Sequence, residues 1–163
     1  MTVSFFVLGT PKPGGSKKAI HHKTTGRIIV MDDGGKATKD WRKAVATEAL
    51  RHFKQPLHGP LSVRCCLRLP RPKAHYKSDG VTLRDWAVNM QPTTRPDATK
   101  LWRSTEDAMT GIVWNDDAQI VYQVVYKVYS VTPGANITVA VMEREGISEV
   151  KGEQVIDEVI NSI

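Results

Sequence analysis

Cysteine is nearly absent from this chain of 163 residues: two occur, side by side, at Cys65 and Cys66. Neighbours on a strand point to opposite faces, and two thiols fall short of the four ligands of a structural zinc site. An ordinary disulfide and a zinc-built fold are thereby excluded, and both residues read as packing. Long apolar runs are missing too, since no window approaches the roughly 18 consecutive apolar residues that a membrane span needs. The opening MTVSFFVLGTPKPGG has no basic stretch ahead of its short apolar run, so the expectation is a cytoplasmic protein with no membrane partner. Acidic residues are scarce in one half only. Residues 1–80 hold 16 Lys and Arg against 5 Asp and Glu, whereas residues 81–163 hold 7 against 12, and the net charge is +6. A basic segment of this size favours a polyanion, because each phosphate it neutralises releases condensed counterions; the same charge also serves as a solvated face.

With 40% hydrophobic residues, the chain is long enough to bury a core without cross-links, and one domain over 1–163 is expected. Val3 to Leu8 reads as a strand running into a Pro- and Gly-rich loop that carries Lys12, Lys17 and Lys18. Arg27 to Met31 reads as a second, short strand before the turn Asp32-Asp33-Gly34-Gly35. From Ala37 to Phe53 the period becomes 3.6: Trp41, Val45 and Ala49, flanked by Leu50 and Phe53, form an apolar stripe, with Lys36, Lys43, Arg51 and Lys54 on another face. Leu61 to Leu69 alternates as a half-buried strand.

Pro70 to Pro96 has no sustained period, a length that points to a binding loop. Its Tyr76 and Trp86 either stack on bases or anchor the loop to the core. A helix is expected over Lys100 to Thr110, stopped by Gly111. Ile120 to Tyr129 alternates with Ile120, Tyr122, Val124, Tyr126 and Val128 on the apolar side, and Asn136 to Met142 alternates in turn. Pro133-Gly134 between them suggests an antiparallel pair. Val155, Val159 and Ile160 suggest a small amphipathic helix in the tail.

Asp97, Glu106, Asp107, Asp116 and Asp117 concentrate carboxylates beside the basic half. Hard oxygen ligands of this kind hold magnesium for phosphodiester cleavage. Each acid also has a plain structural use: Asp97 as a helix N-cap, Glu106 or Asp107 as a partner of Arg103, and Asp116-Asp117 as a solvated turn.

Taken whole, the segment Arg95 to Ile120, RPDATKLWRSTEDAMTGIVWNDDAQI, resembles the RusA family of Holliday junction resolvases, small homodimeric magnesium-dependent endonucleases common in phages and prophages. Asp97, Leu101, Arg103, Asp107-Ala108-Met109, Gly111 and Trp114 through Ile120 fit the family pattern in order and spacing. Weaker support comes from the strand and Pro/Lys loop at the start and from Arg71-Pro72-Lys73 with His75-Tyr76. The resemblance implies an α+β fold, with a mixed sheet of about four to five strands and two main helices on one side. It also implies a homodimer that places paired nicks in four-way DNA junctions inside the bacterial host cell. Magnesium, with manganese as a substitute, would be held by Asp97 and Asp117, with Asp116 as a further ligand. Asp107 would orient a metal-bound water or its helix, and Arg103 would stabilise the phosphoryl transition state. Lys12, Lys17, Lys18, Arg27, Lys43, Arg64, Arg68 and Lys100 would grip phosphates. The assignment requires the Asp97 and Asp117 side chains to converge.

One departure bears on activity. Thr99 stands where the family carries a second ligating Asp, and Lys100 where Asn is common. Either the Thr99 hydroxyl, Asp116 or Asp107 makes good the loss, or the protein binds junctions without cutting them.

Overall fold

A computed structural model describes residues 1–14, 17–21, 28–32 and 35–142. In chain order it contains β1 (Thr2–Leu8), β2 (Lys17–His21), β3 (Ile28–Asp32), α1 (Lys36–His52), β4 (Leu61–Pro70), α2 (Ala98–Asp107), β5 (Ile120–Ser130) and β6 (Gly134–Val141). Four strands make one mixed sheet in the order β1-β6-β4-β5, and β2 with β3 forms a separate antiparallel pair. The fold class is α+β, as the sequence implies. Two residues expected in the first loop, Lys17 and Lys18, instead belong to strand β2. Arg27 and the tail helix fall outside the described residues.

Alternation sorts the sheet. On β4, Leu61, Val63, Cys65, Leu67 and Leu69 are buried, and their register partners on β6, Ile137 and Val139, are buried with them. Phe5 and Val7 complete this face from β1. Trp41, Val45, Ala49 and Phe53 of the α1 segment and Leu101 and Trp102 of α2 join them in one core, so both helices cover the same side of the sheet. Leu50, expected beside the α1 stripe, is exposed. Gly134 is required where β6 passes β1: a Cβ there would meet the Val7 carbonyl and the Phe6 ring.

The expected β5-β6 hairpin does not form. β6 inserts between β1 and β4, and β5 pairs parallel with the far side of β4. This register also reverses the face assigned to β5. Val125, Lys127 and Tyr129 align with the buried Cys65, Leu67 and Leu69, whereas Tyr122, Val124, Tyr126 and Val128 align with Ser62, Arg64, Cys66 and Arg68 on the open face. The cause is a register shift between Leu61 and Ser62. Lys127 tolerates the core side because its ammonium donates to the Thr94 and Pro96 carbonyls at 2.8 and 3.0 Å.

Candidate active site

Helix α2 is the element on which the candidate residues are strung. It buries Leu101, Trp102, Ser104 and Thr105 and is fastened to α1 at two points. The Trp41 indole donates to Thr105 Oγ1 at 3.1 Å, and that hydroxyl donates in turn to the Leu101 carbonyl at 3.0 Å. Arg42 reaches Ser104 Oγ at 3.3 Å and the Asp107 carboxylate at 2.9 Å. Asp107 is thus a helix-helix tie through Arg42; an i+4 partnership with Arg103 is not its arrangement.

Asp97 occupies the N-cap position of α2, yet its side chain makes no capping hydrogen bond. Its carboxylate instead lies 3.3 Å from the Lys100 ammonium, three residues on, and faces a cleft of about 530 Å³ whose lining includes Lys12, Arg95, Lys100, Leu69 and Tyr129. The Arg95-Pro96 peptide bond leading into it is cis. Thr99 is exposed on the first turn of the helix.

The other carboxylates gather at the opposite end of α2. Asp116 and Asp117 lie on a 3-10 turn, Asp117–Gln119, that leads directly into β5. Asp116 has structural work: its side chain accepts from the Ala118 amide at 2.8 Å and closes a capping box with Gln119. Gln119 is the staple of this turn. Its Oε1 accepts from the Asn115 and Asp116 amides at 2.9 and 3.2 Å, while its Nε2 donates to the Leu57 and Gly59 carbonyls at 3.0 and 3.2 Å. Asp117 is held exposed on that rigid turn.

Glu106, near the C-terminal end of α2, shares this environment. Burial raises its carboxyl above the ordinary value, and the neighbouring Asp117 carboxylate pushes it further in the same direction. The Trp102 indole, whose Nε1 is buried without a well-formed hydrogen bond, leans on Glu106 and offsets part of this shift; Asp107 then adds to it and Arg103 opposes it. Thr99 and Glu106 are seven residues apart, nearly two full turns, so they project from the same side of α2.

Asp97 and Asp117 are associated with opposite ends of α2: Asp97 is its N-cap, and Asp117 acts on Glu106 near its C-terminal end. Asp97 borders a cleft with Leu69 and Tyr129, at one end of the β4-β5 ladder. Asp117 precedes Ile120, which pairs with Leu61 at the other end. Among the described residues, no three His, Cys, Asp or Glu side chains are grouped to hold a metal ion. Asp97, Asp116 and Asp117 are accordingly not gathered into such a group, and their carboxylate oxygens are the hard donors that a divalent cation takes.

The basic residues divide among three places. Lys12 and Lys100 flank Asp97, and Lys43 is exposed on α1. Arg64 is exposed on the open face of the sheet, where Arg68 lies over the Phe6 ring at 5.4 Å and donates to Ser130 Oγ. The side chains of Lys17 and Lys18, and all of Arg27, lie outside the described residues. In the long loop, Trp86 is 58% exposed and meets His75 edge-on, and His75 in turn meets Tyr129. This arrangement anchors one edge of the Trp86 ring and leaves the rest open.

The sequence places Glu106 in the acidic cluster without marking its half-buried position beside Asp117, and two further residues carry no signal in it. Gln119 carried no charge to draw notice, and Arg42 gave no sign of a partner on a helix 65 positions later. No helix is long and apolar enough to cross a membrane among the described residues.

A family model for the endodeoxyribonuclease RusA matches residues 9–140, which takes in both helices and the acidic segment. A protein of Bacillus subtilis (strain 168) that bears the name "Uncharacterized protein YqaN" is 26% identical over 142 residues, 84% of this chain and 94% of that protein.

Proposed function

This chain belongs to the RusA family of endodeoxyribonucleases, and from that premise we propose that it resolves four-way DNA junctions by paired nicks, with magnesium or manganese as cofactor. The observation that carries the reading is the family match across residues 9–140, which covers the acidic segment that holds Asp97 and Asp117. Lys12, Arg95 and Lys100 around the Asp97 cleft are suited to phosphate, which they would orient without reading bases. Arg103, exposed near Glu106, is suited to the charge that develops on a phosphoryl group under attack. A divalent cation would supply an activated water and neutralise the leaving oxygen. Two like cuts call for two like sites, which a twofold homodimer provides. The setting is the cytoplasm of a bacterial host, in keeping with a phage origin.

Thr99 favours a second reading, a protein that binds junctions without cutting. The test is a labelled synthetic four-way junction incubated with the protein in magnesium or in EDTA. Paired nicks that need the metal support the nuclease, and a gel shift with no nicks supports the binder. Asp117→Asn is expected to abolish nicking while junction binding stays intact or tightens, since a negative charge leaves the neighbourhood of phosphate. Loss of binding in this variant would count against Asp117 as a ligand.

A further inference from the structure

We propose that Trp86 is a stacking platform for one unstacked nucleobase at the branch point of a DNA junction, and that it sets the preference of this protein for branched over plain duplex DNA. The inference rests on the junction reading for the class of ligand, and on the long loop after β4 for the site itself.

The loop is fastened without the help of Trp86. Arg71 lies over the Tyr129 ring at 5.3 Å and donates to the Ala87 and Val88 carbonyls at 2.6 and 3.1 Å. Arg84 donates to the Tyr76 carbonyl at 3.0 Å, and a bridge between Tyr76 and Leu83 closes a small hairpin. At the tip of that hairpin the Asp79 carboxylate accepts from the Val81 and Thr82 amides, each at 2.9 Å. His75 and Ala87 supply the buried contacts, and Trp41, Trp102 and Trp114 elsewhere in the chain are buried, whereas Trp86 is exposed. A tryptophan offers about 150–250 Å² for burial. Held in water by a backbone pinned on either side of it, this ring has a use other than anchoring the loop.

Its surroundings decide what it takes. Between residues 71 and 91 stand Arg71, Lys73, Lys77 and Arg84 against Asp79 and Asp85, and Lys73, Lys77 and Arg84 are exposed. That surplus of positive charge draws a phosphate backbone. Every base has a π-face on which an indole stacks, but inside a continuous duplex both faces of each pair are already covered. A base with a free face is found where the stack is broken, and freeing one costs least there. A branch point supplies such a base and an intact duplex does not. Position agrees with this ligand. Trp86 meets His75 at 5.3 Å, His75 meets Tyr129 at 5.1 Å, and Tyr129 lines the Asp97 cleft with Lys12, Arg95 and Lys100. The indole centre is therefore no more than about 10 Å from that of Tyr129, some three nucleotide steps at about 3.4 Å along one strand. One strand thus spans both places, with a phosphate among the cleft cations and a base on Trp86 a few nucleotides away.

The test uses the full-length chain in EDTA, so that no strand is cut, with a synthetic four-way junction and a duplex of the same sequence. Trp86→Ala is expected to weaken junction binding by roughly tenfold or more while duplex binding changes by less than about twofold, and Trp86→Phe to keep most of the affinity. A second arm needs no loss of a side chain. Acrylamide quenching of tryptophan fluorescence reads Trp86, since the other three tryptophans are buried, and Trp86→Phe identifies its component. The junction is expected to protect that component, and the duplex to leave it open. Equal losses on junction and duplex, unchanged binding by Trp86→Ala, or a Trp86 that stays open to acrylamide on the junction overturns the platform. A Trp86 already shielded in DNA-free protein that self-associates on sedimentation overturns it in favour of a protein contact, and a wild-type chain that binds no junction overturns it together with the junction reading. Metal-dependent nicking without any of these Trp86 effects removes the platform and leaves the nuclease reading. Protection of Trp86 without nicking in magnesium keeps the platform and removes the nuclease reading.

Discussion

Gln119 is expected to matter more to this protein than any charged residue of the acidic turn. Its amide makes four hydrogen bonds, accepting from the amides of Asn115 and Asp116 and donating to the carbonyls of Leu57 and Gly59. It thereby ties the turn that carries Asp117 to the segment entering β4. At about 1 kcal/mol net per neutral hydrogen bond, discounted because the side chain is only half-buried, Gln119→Ala costs about 2–3 kcal/mol. For a chain of this size, that lowers Tm by about 5–10 °C. Gln119→Glu separates the two halves of the staple. The carboxylate still accepts from both amides, but it no longer donates and sets a charge against two carbonyl oxygens, so most of the loss remains at pH 7.5. Protonation below the ordinary glutamate range, about 4.3, restores one donor, so the gap to wild type narrows on acidification. Urea denaturation followed by tryptophan fluorescence measures both variants, since Trp114 is buried beside the turn. A Gln119→Ala cost under about 0.5 kcal/mol, or a Gln119→Glu variant as stable as wild type at pH 7.5, refutes the staple.

Thr105→Val keeps the shape of a fully buried side chain but strands the Trp41 indole N–H, which has Thr105 Oγ1 as its partner. The expected loss is about 1–3 kcal/mol by urea denaturation, and a neutral result shows that the α1-α2 junction is held by packing alone. Glu106 gives a pH test. Its folded carboxyl titrates above the ordinary value near 4.5 because of burial and then Asp117. The protonated form is the one that folding favours, so its contribution is intact below 4.5 and is lost as pH rises through the folded value. Glu106→Gln in EDTA should therefore melt higher than wild type at pH 7–8, with the difference vanishing below about pH 4. A variant that melts lower at neutral pH contradicts the placement of Glu106 against Asp117.

Local pattern carried much of the architecture. The alternation of Leu61 to Leu69 and the 3.6-residue stripe of Trp41, Val45 and Ala49 are properties of neighbours in sequence, and the structure buries those residues. Strand partnership is different, because it depends on residues far away. Ile120 to Tyr129 looked like the first arm of a hairpin, with a Pro-Gly turn after it, yet its partner is β4, and a register shift beside Ser62 turned its faces over. Nothing within the strand announces either fact. The same non-local choice governs the candidate site. Asp97 follows β4 and Asp117 precedes β5, and in a parallel crossover the chain must travel back along the sheet before the second strand begins. The crossover here is long, from Pro70 to Ile120 with α2 inside it, so where it sets each acid depends on the packing of α2 and not on spacing in the sequence.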